Sequence, residues 1–262
     1  MTTVTDQPDP EALATLVDVL LAEPAPAPAD TAADGPDRAA LAEAARLAFA
    51  AERPGPLPDH WWLAVPGATY EAAFEVLGLH DRIPVTVRYG LAAQEEDEKH
   101  TPEEVHRVFV TPEYAGWRLI YAESPLRETT WWPHEVVERL SAACGSAQVY
   151  FQDPHADSVI WAVAEHGALV RGYWRYGEPE WTGEPLPWEE VLTAADFAEP
   201  EDYEDAYAEP NTSEVQSIGA AASRLSLDPG AVSAGTPVRG HGWLALTVAG
   251  AGHGGFGPTP QL

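Results

Sequence analysis

The chain has 262 residues, a hydrophobic fraction of 45%, and 42 Asp and Glu against 14 Lys and Arg, for a formal net charge of -28. A polyanion of this strength repels phosphate backbones and anionic lipid, because the cations that would release counterions from either are scarce and scattered; nucleic acid and membrane drop out as expected partners. One cysteine, Cys144, excludes an internal disulfide, and with an acidic amino terminus and no apolar run of about 18 residues the expectation is a cytoplasmic protein with a real core.

Leu13, Leu16, Val17, Leu20 and Leu21 share one helical face, and Pro24-Ala-Pro-Ala-Pro28 stops that helix. An Ala/Pro linker follows, then a helix-forming stretch from Arg38 to Ala51 that Arg53-Pro-Gly-Pro-Leu-Pro58 closes. Residues 1–58 therefore read as a helical arm and linker, 59–240 as a globular domain, and 241–262 as a strand with a Gly/Pro-rich tail. Tyr70, Ala73, Phe74 and Leu77 line a short helix that Gly78 can end, and Ile83 to Tyr89 alternates like a half-buried strand. The acid run Glu95 to Glu98 reads as an exposed loop, Thr101-Pro-Glu-Glu104 as a capping box, and Arg107 to Thr111 and Trp117 to Tyr121 as strands.

Pro133 opens a helix whose buried stripe is Val136, Val137, Leu140 and Cys144, with Gly145 at its end. Strands over 148–152, 159–164 and 169–176 follow, the last two joined by a His166-Gly167 hairpin turn. A loop rich in Glu, Pro and Trp leads to a short helix around Trp188 to Leu192 and a solvated acidic stretch over 199–209. Asn211 with Glu214 is expected to cap a helix carrying Val215, Ile218, Ala222 and Leu225 on one face, and Trp243 to Val248 is the final strand. Without βαβ alternation, this order predicts an α+β fold: an antiparallel sheet flanked by helices, with an N-terminal helical arm. Gly250-Ala-Gly-His-Gly-Gly255 has no helix behind it and reads as a flexible or loosely docked tail rather than a phosphate-binding loop.

The run Gln148-Val-Tyr-Phe-Gln-Asp153, then Ser158 to Gly167 with Trp161-Ala162 at its centre, then Leu169-Val-Arg-Gly-Tyr-Trp174, resembles a segment of a group of acidic, Trp-rich bacterial proteins with no assigned activity. The helix over 215–225 and Ser226-Leu-Asp-Pro229 are similar to the closing part of the same group, so the likeness covers about half of the chain and implies a fold more than a function. In size and acidity the chain also resembles the immunity proteins that neutralise bacterial toxins, without a shared motif.

Candidate chemistry is sparse. Asp153, His155 and Asp157 stand within five residues of a strand-to-strand turn, where two carboxylates and an imidazole can serve as an acid/base pair or hold a divalent cation; the same residues are ordinary turn formers that satisfy local backbone donors. His100 and His106 lack a metal-binding register, Cys144 lies on an inward stripe with no base beside it, and there is no Gly-x-Ser-x-Gly elbow. No cofactor and no metal are expected.

Paired aromatics are the stronger signal. Trp61-Trp62 and Trp131-Trp132 place adjacent indoles on opposite faces of any extended backbone, so one of each pair is open to a contact surface, with burial in the core the equal alternative. Glu180-Trp181-Thr-Gly-Glu184-Pro-Leu-Pro-Trp188 interleaves acid with aromatic, a composition suited to a basic partner. Arg171 and Arg175 flank Tyr173 on one strand, where they can grip a carboxylate or phosphate, and are expected instead to pair with the chain's own carboxylates. Two readings follow: a non-enzymatic acidic module that binds a basic protein, as an immunity or accessory factor would, or a small enzyme using His155 with Asp153 or Asp157.

Overall fold

The computed structural model describes residues 8–22, 38–100, 105–122, 133–153, 155, 158–176, 178–189, 199 and 217–253. The fold is α+β, with antiparallel strands, flanking helices and helices at the N-terminus. No described helix is long and apolar enough to cross a membrane. The chain divides into two compact units, each discontinuous in sequence: one from Met1–Pro54, Phe74–Thr129 and Ala234–Leu262, the other from Gly55–Ala73 and Thr130–Ser233. A short helix, α3 (Glu71–Val76), carries the chain from the second into the first.

The first unit opens with helices α1 (Pro10–Ala22) and α2 (Arg38–Ala51). Asp9 caps α1, its carboxylate accepting from the Glu11 and Ala12 N–H groups at 2.9 and 2.8 Å, and Leu16 and Val17 are buried on its inner face. The sheet of this unit orders β2 (His80–Val85), β11 (Gly242–Leu246), β3 (Arg107–Val110) and β5 (Trp117–Ala122), all antiparallel. A small extension pairs β4 (Glu113–Tyr114) with β5 and with β10 (Val238–Arg239).

Three expectations are corrected in this unit. The strand expected over Ile83 to Tyr89 ends at Val85, because Thr86 turns the chain and its hydroxyl accepts from the Tyr89 N–H at 3.2 Å to start α4 (Val87–His100). The acid run Glu95 to Glu98 is not a loop but lies inside α4. Helical spacing sends Gly90, Ala93, Gln94 and Asp97 to the buried face, a stripe of small and polar residues that hydrophobic periodicity does not register. There Asp97 receives Arg107 bidentately, with a 2.6 Å contact from Nη2, while Gln94 donates to the Arg107 carbonyl. Thirdly, the tail is tied down as far as it is described: the Gly250 N–H donates to the Asp81 carboxylate, and buried His253 donates from Nε2 to the Asp81 carbonyl at 2.6 Å. The capping box Thr101 to Glu104 lies outside the described residues.

The second unit is a sheet ordered β1 (Trp61–Pro66), β6 (Ser146–Asp153), β7 (Ser158–Glu165), β8 (Ala168–Tyr176) and β9 (Glu178–Thr182), again antiparallel throughout. The expected His166-Gly167 turn joins β7 to β8, both residues at positive φ (50° and 88°) as the twist of a two-residue hairpin requires. α5 (Pro133–Cys144) packs on one face with Val137, Leu140 and Cys144 buried, as its periodicity predicts, while Val136, expected on the same stripe, is only half-buried. α6 (Ile218–Leu225) covers the other, where the Ser226 hydroxyl meets the Tyr150 hydroxyl at 3.2 Å. Ser217 caps α6, its hydroxyl accepting from the Ala220 N–H at 3.4 Å, while the expected caps Asn211 and Glu214, and Val215, lie outside the described residues. The first part of the expected Glu/Pro/Trp loop is instead the strand β9, since tertiary pairing with β8 overrides its poor strand composition.

Strand register places one aromatic from every strand of this sheet in a transverse row on the α6 face: Trp62, Tyr150, Trp161, Tyr173 and Trp181 are successive cross-strand partners. The first four are 0–1% exposed, and Trp62 stacks on Tyr150 at 4.8 Å between centroids.

Close packing in the first unit gives a test with an inverted sign. Alanine normally outperforms glycine inside a helix, but a Cβ at Gly90 of α4 would lie 2.2 Å from the Phe109 ring. Gly90→Ala should destabilise the protein by about 1–3 kcal/mol in urea denaturation; a more stable variant would show that α4 sits farther from the sheet.

Candidate functional site

The edge of the second unit collects Glu180, Trp181, Glu184 and Trp188 of the described residues singled out by sequence, beside Arg171. β8 presents Tyr173 and Arg171 to the α6 face, and the chain leaving β9 folds back over the same face, bringing Trp188 to 6.0 Å from Trp161 and Trp181 to 6.2 Å. Tyr173 and Trp181 approach to 4.4 Å at a 43° tilt. Arg171, expected to pair with the chain's own acids, does so: its guanidinium holds Glu189 bidentately, donates to the Gly183 carbonyl at 2.6 Å, and lies 4.5 Å above the Trp181 ring. Both charged side chains are interior, 7% and 2% exposed, so the pair is desolvated and strongly coupled. Glu189 also accepts from the Leu186 N–H, closing the 186–189 turn. Sequence reasoning missed Glu189; the only local signal was its place three residues after Leu186, where a carboxylate can close a turn.

The expected interleaving of acid and indole is separated by the pleat. Glu180 pairs across to Trp174 and belongs to the α5 face, whereas Trp181 points to the α6 face. Glu180 and Glu184 are exposed; Trp181 and Trp188 are half-buried. Trp61 and Trp62 are both buried, at 4% and 0% exposure, because helices cover both faces of the strand pair that carries them and neither face is left to solvent. Trp131 and Trp132 lie outside the described residues, but the neighbouring His134, on the first turn of α5, sits over Gly172, its Cε1 3.4 Å from where a Cβ would be. Burial lowers the pKa of that imidazole and favours its neutral form.

At the β6–β7 turn the Asp153 carboxylate accepts from the His155 backbone N–H at 2.9 Å, a local Asx contact, while the His155 ring is exposed. Asp157 lies outside the described residues. No group of three His, Cys, Asp or Glu capable of holding a metal ion occurs among the described residues. Burial pushes the Cys144 thiol up, away from the nucleophilic thiolate. A groove of about 470 Å³ between α1 and α2, lined by Leu13, Ala14, Val17 and Ala42 with the Glu43–Arg46 ion pair at its side, contains none of the predicted residues.

One titratable group in the first unit was not anticipated. Glu52, just past α2, accepts from the Val87 N–H at the start of α4 at 2.5 Å, and burial pushes its pKa up to about 7 despite that bond. Burial and the Glu52 charge together raise the Tyr114 phenol nearby.

The chain matches no family model, no curated protein and no solved structure.

Two stability measurements probe these groups. Glu189→Ala leaves the Arg171 charge buried without its counterion and should cost about 3–5 kcal/mol, against about 0.5 kcal/mol or less for Glu184→Ala on the exposed loop; equal effects in chemical denaturation would show that the pair is solvated. Glu52 binds its proton more tightly folded than unfolded, so its contribution is full below the ordinary carboxylate range and is lost as pH rises through about 7. The stability lost between about pH 4.5 and 8 should therefore shrink in Glu52→Gln by on the order of 2–3 kcal/mol. Parallel wild-type and variant curves would place the carboxyl in water.

Proposed function

We propose that this chain is a non-enzymatic acidic protein-binding module, an immunity-like or accessory factor, that docks a basic partner protein. The observation that carries the reading is where the few cations are. Arg107, Arg118, Arg171 and Arg175 are buried, four of only 14 Lys and Arg, whereas of the 42 Asp and Glu only the Asp97 and Glu189 side chains, among those in described ion pairs, are interior at 7% and 2% exposure. Arg107 and Arg171 are neutralised internally by Asp97 and Glu189, and Arg118 is held by the carbonyls of Thr111 and His241. Solvent therefore meets a surface poorer in positive charge than the composition alone indicates, and long-range attraction favours a basic protein.

Within that surface, Glu180 and Glu184 are the carboxylates of the candidate edge exposed to a partner. The indoles contribute differently from the sequence expectation: Trp61 and Trp62 support the core, and Trp181 and Trp188 offer partial faces rather than protruding anchors.

The test is affinity capture at about 0.05 M and about 0.5 M salt, where the Debye length shrinks to roughly 4 Å, followed by kinetics with the purified captured protein. A basic partner should be retained at low salt, with an association rate that falls about tenfold or more at high salt and in the Glu180→Lys, Glu184→Lys double variant. Captured proteins no more basic than the unbound fraction, or a salt-independent association rate, would refute the reading.

A further inference from the structure

From the edge geometry we infer that β9 is a strand-addition site: a basic partner contributes an extended segment that pairs with Glu178–Thr182 and prolongs the sheet of the second unit. The inference rests on the acidic-binder reading and specifies how the partner is held. β9 is the last strand of its sheet, paired on one side by β8 and with no strand on its other side among the described residues. A strand in that position offers backbone donors and acceptors to an incoming chain.

Two features of the row and the pleat define the occupant. The four inner members of the aromatic row are 0–1% exposed, but Trp181, at its end, is only half-buried. A further strand would place a side chain opposite Trp181 on the α6 face and continue the row by one apolar or aromatic residue. Glu180 and Thr182, both exposed, face the other way, so the residues opposite them lie on the α5 face, where a Lys or Arg meets Glu180. The matching segment thus alternates cationic with apolar residues. A second copy of this chain is disfavoured at the same edge, since it would bring together two molecules of net charge -28. The Arg171–Glu189 pair holds the following loop in place, so the edge is presented by a rigid scaffold.

The probe is a synthetic peptide of about nine residues alternating Lys with Val and Tyr, compared with an analogue N-methylated at every second amide so that charge is kept and one hydrogen-bonding edge is lost. Strand addition predicts that N-methylation weakens binding to the full chain at least about tenfold, and that Glu180→Lys does the same. Glu165→Lys, an equal charge change at an exposed position at the end of β7, should change it less than about threefold. Equal binding of the two peptides overturns strand addition while leaving the acidic-binder reading intact. Equal losses in the two charge variants overturn the assignment to β9. Failure of the unmethylated peptide to bind, alongside salt-sensitive capture of a basic protein, also overturns this inference alone; salt-insensitive capture removes the reading beneath it.

Discussion

The row Trp62–Tyr150–Trp161–Tyr173–Trp181 is the constraint on which the second unit depends. Side chains alternate along a strand with a period of two, so a slip of one residue in any strand would turn its ring to the opposite face and out of the row. Aromatic side chains bury roughly 150–250 Å² each, which makes such a slip expensive and the register correspondingly well defined. Everything on that face is positioned from the row. The Tyr150 hydroxyl meets Ser226 at the end of α6, Tyr173 packs against Trp181 of β9, and Trp161 receives Trp188 from the returning loop. Gly172, on the opposite face, leaves room for His134 of α5.

Polar chemistry inside the protein serves placement. Among the described residues, each unit shows an arginine buried against a carboxylate: Arg107 with Asp97 locks α4 onto β3, and Arg171 with Glu189 locks the 183–189 loop onto β8. Pairs of this kind contribute little net stability compared with a well-packed apolar substitute, but losing one partner is costly, so they are best understood as fixing where a segment lies. They also draw cations out of the solvent-facing charge distribution. In a chain with so few, interior architecture and surface electrostatics are therefore coupled, and the surface becomes more uniformly acidic because the core uses arginine.

On the proposed reading, this coupling bears on recognition. Long-range charge speeds encounter and selects the sign of the partner, whereas short-range geometry decides where it settles. On the second unit the short-range feature is an edge strand at the end of an ordered aromatic row, held by a desolvated ion pair. Rigid backbone edges recognise extended segments at low entropic cost to the receptor, and the alternation of Glu180 with Trp181 converts the pleat into a two-sided chemical pattern.

Much of the fold was legible in the sequence. Short runs rich in apolar and aromatic residues located β6, β7 and β8, the His166-Gly167 pair located the turn between the last two, and the Val137–Leu140–Cys144 stripe located α5, because each signal is short-range and arises from the segment itself. The α4 helix was illegible because its buried face is Gly90, Ala93, Gln94 and Asp97, and a carboxylate reads as solvated until Arg107, ten residues later, is brought beside it. The strand character of Glu178–Thr182 was invisible for a related reason: only pairing with β8 makes that sequence extended. At the candidate site, composition by itself determined the sign of the charge, the abundance of indole and the internal pairing of Arg171. Tertiary structure alone decided that Trp61 and Trp62 are interior, that Glu180 and Trp181 face opposite ways, and that Glu189 is buried. Which face of a strand meets solvent depends on what packs against both sides, and that information comes from residues far away in the chain.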